Sequence, residues 1–429
     1  MAHATNFTVE DVQEIIEAEP LKIPSWFRLT LIILAILGLL MFLVELFTGD
    51  AKRAWMALQI NMLYWVVVSA ASSCFTAVFY ICNAQWARPI RRIFESAVCF
   101  FSLTPILLVV MYFGHEYLFV WAHEQPPGKG PWLTSNYVFI RGLIALLVLG
   151  YFARKVVGLS IKRDLSALRD STLGSSAKLK TDRWKDENAC KCFSLNENDS
   201  VDSTSHLLSR FSPAVVIFYA LMLTFFAFDQ LMSVDPVWYS TLYGVMYFMT
   251  GVYLSMAFAS MMVGICTVNN KLFLEKIKRK TLHDLGKLLF GFGIFWAYMF
   301  WSHYLPIWYG NLPEETAWVI LRLREEPWRY LAWMVLGMNF IIPFFLGLSR
   351  DVKQVPQLLF GTGAIVAVGC WLQMYLLFAP TLYPHEITIG LVDYSIGISL
   401  LAVYVLMAVK FLSKVPLIPF GDLDFSQEH

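Results

Sequence analysis

Along this chain the polar segments are short and the apolar runs are long. A helix needs roughly 20 apolar residues to cross a bilayer. Ten runs meet that length to within a few residues: 29–47, 58–82, 93–119, 137–157, 212–232, 241–266, 288–309, 330–348, 357–379 and 387–412. Runs of this kind predict an all-α polytopic membrane protein with about ten transmembrane helices. A faint internal repeat organises them. When RRIFESAVCFF at Arg91 is aligned with RKTLHDLGKLL at Arg279, Arg92 meets Lys280, Glu95 meets His283 and His115 meets His303. The repeat predicts a duplicated unit: two four-helix bundles, spans two to five and six to nine, plus flanking helices. Membrane proteins that move solutes often carry such repeats with a site between the halves.

The connections divide the chain into an N-terminal segment at 1–28, spans one to four at 29–157, a polar loop at 158–210, spans five to ten at 211–412 and a tail at 413–429. Residues 8–19 are predicted to form a short acidic helix capped by Thr8. No cleavable signal peptide is expected, because the first apolar run follows an acidic rather than a basic segment. The 158–210 loop is Ser-rich and mixed in charge, which predicts partial disorder. Residues 313–325 predict an amphipathic surface helix opened by Pro313, Glu314 and Glu315. Trp318 and Leu321 are expected on its apolar face, Arg322 and Glu325 on its polar face. An even number of spans puts both termini on one side. Of the 33 Lys and Arg residues, only Lys52, Arg53, Lys129, Arg141, Arg322, Arg324 and Arg329 fall on the other. The positive-inside rule then places both termini in the cytoplasm.

Composition agrees with a membrane location. The 429 residues are 58% hydrophobic and 15% charged, and mean hydropathy is +0.57. A soluble domain carries about a quarter charged residues. The net charge of +1 argues against a nucleic-acid partner. Seven cysteines include no CxxC pair and read as free thiols. There is no Walker loop, dinucleotide fingerprint or iron–sulfur cysteine run, so any redox centre is expected in partners.

The candidate chemistry lies where ionisable residues meet the apolar runs. The stretch 283–316, HDLGKLLFGFGIFWAYMFWSHYLPIWYGNLPEET, opens polar, crosses one membrane thickness and closes in His303, Tyr304, Trp308, Tyr309 and Asn311. Trp and Tyr suit the headgroup boundary, but an imidazole just inside it must find a partner or water. With the predicted orientation, Glu45, His115, Glu116, Asp229, Asp235, Arg141, His303 and His385 all gather in or beside the outer half of the bilayer. A charge at mid-bilayer costs on the order of 3 kcal/mol and less toward the interface. A water-filled chamber opening outward is therefore expected, with histidine relaying protons and carboxylates accepting them. The inner half offers Glu95, His283 and Asp284 as proton-entry candidates, and hydroxyls such as Ser69, Ser73 and Thr250. A bis-histidine haem would have to use His115 and His303, each of which fits a proton role as naturally. No metal site is expected. On the residues alone, a proton-coupled transporter and a structural anchor without a site both stay open.

Three stretches carry a resemblance. FAFDQLMSVDPVWYSTLYG at 226–244, the DLGK start and WYGNLPEET end of 284–316, and NAQWARPIRRIFE at 83–95 look like the membrane quinone subunits of alternative complex III. That complex is a bacterial quinol:cytochrome c oxidoreductase, and these subunits belong to the wider NrfD/polysulfide-reductase-like family. The resemblance covers residues 55–411, and of the two related membrane subunits in such a complex it points to the second. It implies ten helices in two four-helix bundles, in a bacterial inner membrane. It implies a subunit that is not catalytic alone and contributes a quinol pocket, a proton path or both. The ligand implied is a quinol, with menaquinol as the candidate. Implied partners are a related membrane subunit, periplasmic multihaem cytochromes c and an iron–sulfur protein, so haem c and iron–sulfur clusters would sit outside this chain. By motif position, Asp229, Asp235 and His303 to Asn311 would be the functional residues.

Overall fold

Every one of the ten apolar runs folds as a helix, and no strand occurs among the described residues. The computed structural model describes residues 23–170 and 200–419 apart from 125, 127 and 416. The acidic helix expected at 8–19 and most of the polar loop lie outside the described residues. The chain order is α1 (Ser25–Thr48), α2 (Ala51–Ile81), α3 (Gln85–Tyr112), α4 (Ser135–Asp170), α5 (Val201–Gln230), α6 (Leu242–Asn269) and α7 (Arg279–Gly310). Then come a surface helix α8 (Pro313–Leu323), α9 (Trp328–Leu348), α10 (Pro356–Leu382) and α11 (Leu391–Leu412). All but α8 are long and apolar enough to cross a membrane. The protein is thus an all-α polytopic membrane protein.

Successive helices run between two faces. The near face holds the start of α1 and the end of α11; the far face holds α8 and the ends of α7 and α10. α2 and α6 form the centre. Both are apolar on every side, and almost every residue from Ala54 to Ala77 is buried, as expected for a helix enclosed all round. α2 packs with α3, α4 and α5; α6 packs with α7 and α10, and α9 packs on α10. The two groups meet where α2 touches α6. α1 and α11 pair on the flank, against α2 and α3.

Local chemistry sets the departures from the sequence expectation. The polar loop begins and ends in helix. Leu159, Ile161 and Leu165 are buried and carry α4 on to Asp170. At the other side Ser200 caps α5: its Oγ accepts from the Ser203 N–H at 3.1 Å while Ser203 Oγ accepts from the Ser200 N–H at 3.0 Å. α3 is interrupted. It passes through two 3₁₀ segments, one containing Pro89, and stops at Tyr112. A turn at Gly114 follows, where a side chain would collide with the Trp55 indole. His115 therefore opens a separate short helix, His115–Leu118, and does not lie in a continuous span like His303.

α8 also differs. Arg322 is only 2% exposed and lies one turn from Trp318 on the buried side, not on a polar outer face. The reason lies in α10. Pro380 has no N–H, so the Leu376 carbonyl four residues earlier loses its helical partner. Arg322 Nε donates to that carbonyl at 3.1 Å, and Nη2 donates to Leu377 O at 2.9 Å and Thr381 Oγ1 at 2.8 Å. Pro343 acts alike in α9. It frees the Asn339 carbonyl, which accepts from the Tyr253 hydroxyl at 2.9 Å, and a π turn spans Gly337–Ile341.

Candidate functional site

The far ends of α6, α7, α8 and α10 converge on His303. Its position is built from the turn between α5 and α6. There Asp235 Oδ1 accepts from the Val237 and Trp238 N–H groups, both at 3.3 Å, the local closure that Asp favours in turns. This turn delivers Trp238, 3% exposed, against Trp318 of α8. The two indoles stack at 4.2 Å between centroids and 9° between planes. The His303 ring meets both edge-on, at 5.7 Å and 5.8 Å, and Tyr243 lies 6.3 Å away. His303 is 6% exposed and its Nε2 has no hydrogen-bond partner.

Arg322 completes the wall. Its guanidinium lies 3.8 Å from the Trp318 ring, and Nη1 donates to Trp318 O at 3.2 Å. No carboxylate among the described residues pairs with it. Burial pushes its pKa down to about 10, so it remains a cation at neutral pH. Burying a charge inside protein costs on the order of several kcal/mol. Its four hydrogen bonds contribute about 1 kcal/mol or more each and offset that cost.

Gln373 of α10 closes the inner side. Its Oε1 accepts from Trp296 Nε1 at 2.9 Å and from Asn339 Nδ2 at 3.3 Å, and its Nε2 donates to Thr250 Oγ1 at 3.2 Å. His303, Arg322, Gln373, Tyr304 and Phe300 line a cavity of about 40 Å³, enough for one water-sized group. Phe300, Tyr304, Val319 and Leu323 also line a second space, a groove of about 840 Å³ between α7, α8 and α9. Trp301, Ile307, Trp308, Trp333 and Phe340 make that groove mostly apolar and aromatic. It has the size and lining of a small-molecule site. The small cavity and the large groove thus adjoin, with four side chains lining both.

The remaining sequence candidates divide between this place and others. Tyr304, Trp308 and Asn311 line the groove; Asn311 also ends α7 in a left-handed conformation, φ 49°. Asp235 acts on the site through the Trp238 turn. Asp229 lies elsewhere, 1% exposed and clamped by Arg141, whose Nε donates to Oδ2 at 2.6 Å and whose Nη2 donates to Oδ1. Trp132 covers that guanidinium at 3.8 Å. His115 has both ring nitrogens engaged, at 2.5 Å from Tyr112 O and 2.8 Å from Ser135 Oγ. Glu116 and His385 are exposed, and Glu45 is half-buried against Gly49. None of these lines the cavity or the groove at His303. The expected single chamber is replaced by separately paired groups, because Arg141 neutralises Asp229 and the Gly114 turn moves His115 out of register with His303.

The near-face candidates are similarly engaged. Glu95 is fully buried. It pairs with Arg92, which also holds Asp164, and its Oε1 accepts from Ser160 Oγ at 2.5 Å. Asp284 pairs with Lys287 at 2.6 Å, and His283 is half-buried. Sequence reasoning missed Arg322, Gln373, Trp238 and Trp318 as site residues. The spacing Trp318 to Arg322, one helical turn, and Pro380 four residues after Leu376 were the available signals.

Among the described residues no three His, Cys, Asp or Glu side chains gather as metal ligands would. Set against models of known protein families, the chain matches none, and no curated protein matches it either.

Proposed function

We propose that this chain is a membrane subunit of a bacterial quinol-oxidising respiratory complex and that it holds the quinol at His303. The observation that carries this reading is a buried imidazole whose Nε2 is without a partner, on a small cavity that adjoins an aromatic groove of about 840 Å³. An isoprenoid quinol has the matching shape: an aromatic head with oxygens and a long apolar tail. The tail lies in the groove, the head rests between Tyr304 and Leu323, and one hydroxyl enters the cavity. His303 Nε2 accepts the hydroxyl proton. The two electrons leave for haem c and iron–sulfur centres in periplasmic partner subunits. The near face is cytoplasmic in this reading, supported by the scarcity of Lys and Arg on the far side, and protons are released outward. The resemblance of 226–244 and 283–316 to alternative complex III subunits supports the same assignment.

The test is His303→Ala in the assembled complex. Quinol turnover should fall on the order of a hundredfold or more, with haem content unchanged. Full turnover would remove His303 from the mechanism. A transporter would work alone in liposomes; this subunit should show no transport there and should co-purify with haem proteins.

A further inference from the structure

The groups around the small cavity differ in what they can offer a ligand, and that difference defines the ligand's charge. Gln373 has its amide orientation settled by Trp296, whose indole N–H can only donate. Both lone pairs of Gln373 Oε1 are therefore taken, by Trp296 and Asn339, and one Nε2 hydrogen by Thr250 Oγ1. The second Nε2 hydrogen is all that Gln373 has left for the cavity it lines. Arg322 has four of its five N–H hydrogens placed on Leu376 O, Trp318 O, Leu377 O and Thr381 Oγ1. The fifth, on Nη1, is left over, and no carboxylate among the described residues forms an ion pair with the guanidinium, on which Asp235 acts only through space. One amide donor and one cation without an ion-pair partner thus lie on residues that line a cavity of about 40 Å³, together with His303, whose Nε2 is buried without a partner.

We propose that Arg322 and Gln373 form an oxyanion site, and that the cavity takes the ionised oxygen of a ring hydroxyl in preference to a neutral one. This rests on the quinol reading of the same site and specifies its ligand as the quinol monoanion. The bookkeeping of charge supports it. When the hydroxyl O–H bond breaks, the proton forms a bond to His303 Nε2 and the electron pair stays on oxygen. The site gains an imidazolium and loses a neutral oxygen to an anion, so its net charge does not change. Protonating His303 near Arg322 without that anion would place two cations together in a low-dielectric wall, where like charges repel strongly. Arg322 and Gln373 are positioning residues in this account: they hold the oxygen while His303 moves the proton.

The test uses two probes on the purified complex, read by quenching of tryptophan fluorescence. One is an alkylated hydroxynaphthoquinone, whose acidic hydroxyl is ionised at neutral pH. The other is its methyl ether, which carries no charge and has the same ring and tail. The native protein should bind the acid on the order of tenfold or more tightly than the ether, the scale of a charge-assisted hydrogen bond. Arg322→Gln should lower acid affinity far more than ether affinity and so collapse that preference, and Arg322→Lys, which keeps the cation, should keep part of it. Gln373→Leu should reduce it without removing it. Equal affinity for acid and ether in the native protein would overturn the oxyanion site and leave the quinol pocket standing, with the cavity holding only water. Failure of both probes to bind would overturn the pocket itself. The comparison of the two probes in the native protein does not depend on any variant folding.

Discussion

At the scale of single residues, the site depends on side chains that hold others in place. Asp235 closes the turn that delivers Trp238, and Trp238 stacks on Trp318 beside His303. An aromatic pair of this geometry contributes about 1 kcal/mol beyond its buried area. Asp235→Ala should loosen the turn, lowering stability by about 1 kcal/mol and quinol turnover several-fold. Thermal unfolding in detergent, alongside a turnover assay, checks both. Asp229→Asn acts on a different place, because its carboxylate is occupied by Arg141. It should leave turnover at His303 within about threefold and lower stability instead, since the half-buried Arg141 cation loses its charged partner. The motif DxxMSxDPxW is thus two devices: its first aspartate clamps α4 to α5, and its second shapes the cavity wall.

At the scale of helices, the prolines explain what sequence periodicity leaves out. Span positions were legible from runs of apolar residues, because length and hydropathy alone decide whether a helix crosses a bilayer. The direction of Arg322 was not. Its neighbours read as a plain amphipathic helix, and only the carbonyl freed by Pro380 in a distant span makes its burial favourable. The same applies to Gln373, whose role follows from Trp296, Asn339 and Thr250 on three other helices. Arg322→Ala should detach α8 from the end of α10. It leaves Leu376 O, whose helical partner Pro380 has no N–H, without a donor, a loss of about 2 kcal/mol. Protease accessibility of residues 311–328 in the assembled complex measures it. Pro380→Ala supplies a backbone donor for Leu376 O and should partly rescue that variant.

At the scale of the whole molecule, the packing agrees with the duplicated unit read from the sequence. Helices two to five and their counterparts six, seven, nine and ten in this numbering form two groups that meet at α2 and α6. The two copies diverge at the aligned histidines. In the first group Trp55 fills the turn at Gly114, and His115 spends both nitrogens on Tyr112 and Ser135. In the second, His303 keeps a partnerless nitrogen and lines a cavity that adjoins a groove. One half of the repeat is closed and the other open, so one quinol per chain is expected. The gathering of ionisable residues toward one end of the helices was visible in the sequence; their division into separate pairs was not, because pairing depends on which helices touch. The most direct measurement is photolabelling of the native complex with an azido-quinone, followed by mapping of the labelled peptide. The account predicts label on α7, α8 and α9, between Ala297 and Phe340, competed away by unlabelled quinol. Label confined to the Arg141–Asp229 side, or to other subunits, would contradict it.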